Sequence, residues 1–351
     1  MPLDLRLTLI EETKDKHERV DDFAGVRRVC GVIVVAGTVL TKCADTIAEV
    51  TKLGRLLVGS VLLAGATSLP ELTVDISAIR LGSPDLAIGD LLGSSLANLL
   101  ILAVLDLTQH SKGHMLSRRA AGHALSGSMS VALTALVGLS LLTGPMLGNV
   151  TLLGISPGLL LVAAAYIGGV RIVYHDQRVA AAEAAVSAEV SHEPPKSLSK
   201  AVLGFVAAAV AILVVGPFMA HAAEQFAQTT GLGRTFVGTT LVALSTSLPE
   251  FVASLAAIRM KAFDLAIGNV FGSNSFNMLL MVPLDIVHPG ALMASVAAGH
   301  GITCLASILA TQTAIMGQLY NVEGRWRFID PDAWLVIAIV VGGLALVYYT
   351  Q

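Results

Sequence analysis

The chain has 351 residues, 54% of them apolar and 13% charged, with a mean hydropathy of +0.76. Soluble domains carry roughly 25% charged residues, so this composition argues against a soluble enzyme and describes an all-α, polytopic membrane protein. A net charge of −3 with no Lys/Arg block or aromatic-interleaved basic patch argues against nucleic acid as a partner. The three scattered cysteines, Cys30, Cys43 and Cys304, make neither a disulfide framework nor a thiolate metal site.

The chain opens on a polar tail, 1–28, whose six basic and seven acidic residues are unlike a cleavable signal peptide and read as a solvated arm. Runs of about 20 mostly apolar residues, the length that spans a bilayer, follow near 29–48, 56–80, 85–108, 119–142, 153–174, 201–226, 235–259, 264–287, 293–316 and 332–350. Ten transmembrane helices are therefore expected. Lys42 and Asp45 close the first run, where snorkelling to the interface accounts for them. The one long polar stretch, 175–200, carries an Ala/Glu run and Pro194-Pro195 and reads as a linker between halves 29–174 and 201–351.

The halves repeat one another. Residues 53–107 align on 232–286 without a gap, at an offset of 179, with 26 of 55 positions identical. An AAGH tetrad recurs at 120–123 and 297–300. Two five-helix units in series enter the membrane from opposite sides, which predicts inverted repeats meeting across a pseudo-twofold axis at the midplane. Loops on the linker's side hold 13 Lys/Arg residues and those on the other side hold 2. By the positive-inside rule the linker is cytoplasmic and both termini lie outside.

The most faithfully repeated block is Thr67-Ser68-Leu69-Pro70-Glu71 and Thr246-Ser247-Leu248-Pro249-Glu250. Each glutamate falls inside an apolar span, where a carboxylate costs at least ~2–3 kcal/mol. The preceding proline lacks an N–H, which frees a backbone carbonyl and lets the helix kink. Thr67 with Glu71 and Thr246 with Glu250 share a helix face at i, i+4. The next spans add Ser94 with Asn98 and Ser273 with Asn277 at the same spacing. This donor set is all oxygen, which suits Ca²⁺, Na⁺ or Mg²⁺ and not zinc or copper.

These two blocks, each followed by an AIGD/N-x-x-GS-x-x-x-N segment (Ala87 to Asn98, Ala266 to Asn277), resemble the alpha-repeats of the cation/calcium exchanger superfamily, nearest to prokaryotic-type sodium/calcium exchangers. The resemblance implies a cation antiporter whose ions bind among the second, third, seventh and eighth helices. It implies Glu71 and Glu250 as ion ligands, with Thr67, Thr246, Ser68, Ser247, Ser94, Ser273 and Asn98 as further oxygen donors and backbone carbonyls at Ala64 and Ala243. Asn277 stands where some members carry Asp.

Repeat one departs from the family pattern at Asp90, Ser95 and Ala97, where repeat two has Asn269, Asn274 and Phe276. Asp75, one turn beyond Glu71, matches Ser254; it either joins the site or sits at the helix end facing water or Arg80. Asp85 and Asp264 match one another and are expected to N-cap the third and eighth helices. His123 and His300 are expected to be satisfied between packed helices.

The function expected is Ca²⁺/Na⁺ exchange by alternating access at a midplane site, in the plasma membrane, without a cofactor or an obligate protein partner. The alternative is a divalent cation/H⁺ exchanger in which protons take the place of Na⁺ on the same glutamates. The sequence has no HExxH motif and no evident paired catalytic aspartates on adjacent helices, which argues against a membrane hydrolase. An inverted repeat within one chain argues against a passive channel, usually a symmetric pore of several subunits.

Overall fold

The computed structural model describes residues 28–108, 120–187, 197–230, 240, 242–319 and 331–350. The helices are α1 (Arg28–Thr51), α2 (Arg55–Thr67), α3 (Leu69–Arg80), α4 (Pro84–Thr108), α5 (Ala120–Leu147), α6 (Pro157–Ser187), α7 (Leu198–Thr230), α8 (Ala243–Thr246), α9 (Leu248–Arg259), α10 (Phe263–Val287), α11 (Leu292–Ser295), α12 (His300–Leu319) and α13 (Pro331–Tyr349). Among the described residues the only β pairing is one isolated bridge, Leu152 to Ile155.

Among the described residues eight helices are long and apolar enough to cross a membrane, and α2 with α3, bent by 42°, makes a ninth if the pair is one span. The expected span 235–259 is described from Ala243 onward apart from its earlier fragments, as α8 and α9; 231–239 and 241 lie outside the described residues, as do the polar tail before Arg28 and linker residues 188–196. The molecule is a multi-pass integral membrane protein. Outward-facing side chains agree with lipid on the flanks: Val35, Leu142, Ile167, Leu203, Val214 and Leu305 are all exposed, an arrangement that water would penalise.

Two boundaries differ from expectation. The fifth expected helix does not end near 174, because α6 continues to Ser187. The Ala/Glu-rich tract from Val179 has high helix propensity and needs no membrane to stay helical. The ninth expected span begins at His300 rather than near 293, because Asp285 closes a separate turn there. Its buried carboxylate accepts from Leu292 N at 2.7 Å and from Ser156 Oγ at 3.0 Å, and also from Ser156 N.

Burial separates the centre from the periphery. The most apolar stretch of α4 is 83% buried and that of α10 is 67% buried, whereas α1, α5, α6, α7, α12 and α13 range from 22% to 44%. The two central helices pack on each other and on the halves of the broken spans. Close approach there rests on glycine. A methyl group on Gly272 would lie 2.3 Å from Ser60 Cα, and one on Gly268 would lie 2.6 Å from the Leu56 carbonyl. Where Gly59 meets α10 in return, the helix widens into a π-turn over Val58–Leu63. The outer helices cross to the opposite half at matching positions, Gly37 of α1 against Val252 of α9 and Gly216 of α7 against Pro70 of α3.

Candidate cation-binding site

Both TSLPE blocks break their helix at the serine. Ser68 (φ −87°, ψ 10°) separates α2 from α3, and Ser247 (φ −77°, ψ 4°) separates α8 from α9. Pro70 and Pro249 fall in the first turn of the new segments, where a missing N–H costs no helical bond. Glu71 and Glu250 therefore sit in the first turns of α3 and α9, where the amide ends of the helices favour negative charge. Both are buried, at 0% and 1% exposure.

The two breaks face one another across the centre. Ser68 Oγ of the first donates to Glu250 Oε1 of the second at 3.1 Å. The matching contact, Ser247 to Glu71, is not made: Ser247 Oγ and both Glu71 carboxylate oxygens have no hydrogen-bond partner among the described residues. Thr67 Oγ1 and Thr246 Oγ1 each lie 3.2 Å from a carbonyl of their own helix, Ala64 and Ala243. Ser94 Oγ lies 3.3 Å from Thr246 Oγ1 and 3.5 Å from the Ala243 carbonyl. Ser273 Oγ, its counterpart, has no partner among the described residues.

The asparagines present oxygen and are held by their nitrogens. Asn98 Nδ2 donates to Asn274 Oδ1 at 3.0 Å and Asn277 Nδ2 donates to the Leu91 carbonyl at 3.3 Å, which leaves Oδ1 of both without a partner among the described residues. Asn274 is anchored in turn on the Ser95 carbonyl at 3.1 Å. All twelve residues expected from the sequence thus lie on the broken spans and on α4 and α10 that fill the centre. Among the described residues no three His, Cys, Asp or Glu side chains converge as a metal-binding group. A cation here would meet two carboxylates, with hydroxyl, amide and backbone oxygen completing the shell.

Four polar residues outside that set, Asn269, Ser254, Asp90 and Asp75, belong to the same network. In repeat two, Asn269 donates to Ser254 Oγ at 3.1 Å and accepts from Thr67 Oγ1 of the other repeat at 3.5 Å. In repeat one the equivalent Asp90 accepts from Thr246 Oγ1 at 2.9 Å, and its carboxylate and that of Asp75 are near enough to act on each other. Asp75 is fully buried and does not face water at the helix end. The signal for Asn269 and Asp90 was the aligned AIGN/AIGD, which marks the position without saying what it touches.

Asp85 and Asp264 are not N-caps. Each lies inside the first turn of its helix, with Ala262 as the N-cap of α10. Asp264 meets His123 Nε2 at 3.0 Å, and Asp85 meets His300 Nε2 at 3.1 Å and the Ala297 N–H at 2.7 Å. Each buried histidine is therefore held through Nε2 by the opposite half of the chain, whereas Nδ1 of both, against expectation, has no partner among the described residues.

The family model described as "Sodium/calcium exchanger protein" matches residues 28–121 and 200–350. The chain is 28% identical to "Putative antiporter CaxA" of Alkalimonas amylolytica over 279 residues, 76% of this chain and 81% of that protein. It is 37% identical to "Sodium/calcium exchanger MaX1" of Methanosarcina acetivorans over 87 residues, 25% of each chain. Its fold is similar to that of the sodium-calcium exchanger NCX_Mj soaked with Na⁺ and Sr²⁺, with a TM-score of 0.63 and 19% identity, covering 92% of this chain and 98% of that one.

Proposed function

The chain belongs to the sodium/calcium exchanger family, a family of cation antiporters and not of enzymes, and from that premise we propose that it exchanges Ca²⁺ for Na⁺ across the plasma membrane. The observation that carries the reading is the meeting of the two helix breaks, where Ser68 of one block donates to Glu250 of the other. Glu71 and Glu250 are the shared ligands. Thr67, Thr246, Ser68, Ser247, Ser94, Ser273, Asn98, Asn277 and the carbonyls of Ala64 and Ala243 supply the remaining oxygen.

Coupling follows from sharing. Two buried carboxylates neutralise either a divalent ion or monovalent counter-ions, so one cargo displaces the other. The empty dianionic site resists occlusion, because uncompensated charge is costly at membrane depth. The architecture proposed is ten spans in two inverted five-helix repeats, 29–174 and 201–351, with both termini outside. Alternating access is the rocking of one repeat assembly against the other around the fixed site.

A divalent cation/H⁺ exchanger is the second reading, favoured by asparagine at both 98 and 277, which leaves no third carboxylate at those positions for several Na⁺ ions. The deciding experiment uses purified protein in liposomes loaded with radioactive Ca²⁺ and challenged separately with Na⁺, K⁺ and pH gradients. Efflux driven by inward Na⁺ is expected. Efflux driven by a pH gradient alone would establish the second reading, and efflux independent of any counter-gradient would replace exchange with a channel.

A further inference from the structure

Asp75 and Asp90 have no role in the exchange site as drawn, yet both are fully buried within it. The two repeats supply an internal comparison. At the same place in repeat two, a neutral amide donates to a hydroxyl: Asn269 Nδ2 to Ser254 Oγ at 3.1 Å. Repeat one keeps the backbone frame and replaces both partners by aspartate, so an acceptor faces an acceptor. Of the four carboxylate oxygens, Asp90 Oδ1 meets the Thr246 hydroxyl at 2.9 Å. Both Asp75 oxygens and Asp90 Oδ2 meet no donor among the described residues.

Charge tells the same story. The carboxylates of Glu250, Asp90 and Asp75 all lie close enough to act on that of Glu71, and no Lys or Arg is found among the buried described residues. A single proton shared between the two aspartates would serve two oxygens and cancel one charge. A third oxygen and a second charge would remain in a medium where each is expensive.

We propose that Asp75 and Asp90, completed by Thr246 Oγ1, hold a second hard cation beside the exchange site. Oxygen-only ligation by two carboxylates and a hydroxyl suits Ca²⁺ or Na⁺ and not a soft metal. Because Thr246 also belongs to the exchange site, the second ion sits one helix turn from the first and reaches the transported ion through a shared ligand. This inference deepens the proposed function and rests on Glu71 and Glu250 being the exchange ligands.

The test is equilibrium binding of radioactive Ca²⁺ and, separately, Na⁺ to purified full-length protein. In a Glu71→Gln/Glu250→Gln background, saturable binding of one of the two ions should survive. Adding Asp75→Ser and Asp90→Asn, the residues repeat two already carries at these places, should abolish it. In the otherwise native chain, that pair of substitutions should lower the number of bound ions while leaving binding that depends on Glu71 and Glu250. Asp75→Asn alone should weaken the surviving binding and guards against a variant that fails to fold. No saturable binding of either ion in the Glu71→Gln/Glu250→Gln protein would overturn the proposal, as would surviving binding indifferent to Asp75 and Asp90. Undiminished binding and exchange in the Glu71→Gln/Glu250→Gln protein would instead overturn the exchange site itself.

Discussion

A carboxylate placed within an apolar span survives only where the backbone favours it, and each glutamate here has the amide end of a fresh helix segment beneath it. Glutamine keeps the shape of Glu71 or Glu250 and removes the charge. Such a change eases burial, since the carboxylate alone costs about 2–3 kcal/mol or more at membrane depth, but it removes half of the charge that would neutralise a divalent ion. Glu71→Gln and Glu250→Gln should therefore each abolish exchange in proteoliposomes while folded protein remains in the membrane. Near-normal flux in either would remove both glutamates from the ligand set. At Ser254 the contrast is instructive, because its hydroxyl only accepts from Asn269. Ser254→Ala should leave ion affinity close to native in the same assay.

Among the elements, the central helices depend on backbone contact more than on side-chain volume. Gly272 lies against the backbone of Ser60 so closely that an added methyl would overlap Ser60 Cα and its carbonyl. Rigid backbone cannot yield as a flexible side chain can. Gly272→Ala should destabilise the fold by about 1–3 kcal/mol, the usual range for overpacking, read as a lower melting temperature in detergent. Gly342 on α13 has nothing within 4 Å of the corresponding position, so Gly342→Ala should leave the melting temperature unchanged or slightly higher, as the better helix former. Equal effects at both sites would show that α2 and α10 do not meet as closely as described.

For the whole molecule, what joins the two halves is a set of reciprocal contacts: Gly37 with Val252 and Gly216 with Pro70, then Asp264 with His123 and Asp85 with His300. Helix starts on the two central elements are thereby tied to the opposite half. A double-mutant cycle of His123→Ala with Asp264→Asn should return a coupling of about 1 kcal/mol, the net value of one hydrogen bond, and a cycle at His300 and Asp85 should return a similar one. Additive effects in both cycles would make these pairs incidental. Orientation is a separate matter, for which the loop charges carry the expectation. Single cysteines introduced into 175–200 of a cysteine-free chain should be shielded from impermeant thiol reagents in intact cells, and cysteines near Gln351 should be labelled. The reverse pattern would mean that the tail at 1–28 sets the topology.

Hydropathy alone determined that this chain is a bundle of membrane-spanning helices, and self-similarity singled out its candidate site, because the same costly Pro-Glu step occurs twice in apolar surroundings. Ends that depend on membrane length were legible to a few residues. Those governed by something else were not: α6 runs past its expected end on the propensity of an Ala/Glu tract, and α12 starts late because Asp285 caps a turn from a distance in sequence. Thr67, Glu71, Ser94 and Asn98, with their counterparts Thr246, Glu250, Ser273 and Asn277, were legible as types at spacings, whereas Ser68, Ser247 and the carbonyls of Ala64 and Ala243 came only with the family resemblance. Which oxygens are already spoken for was not, because a hydrogen bond from Ser68 to Glu250, 182 residues apart, leaves no trace in periodicity. Asp75 shows the limit best. Its position on α3 admitted both a water-facing end and a buried neighbour of the site, and only the packing of α3 on α4, which sets it beside Asp90, decided between them.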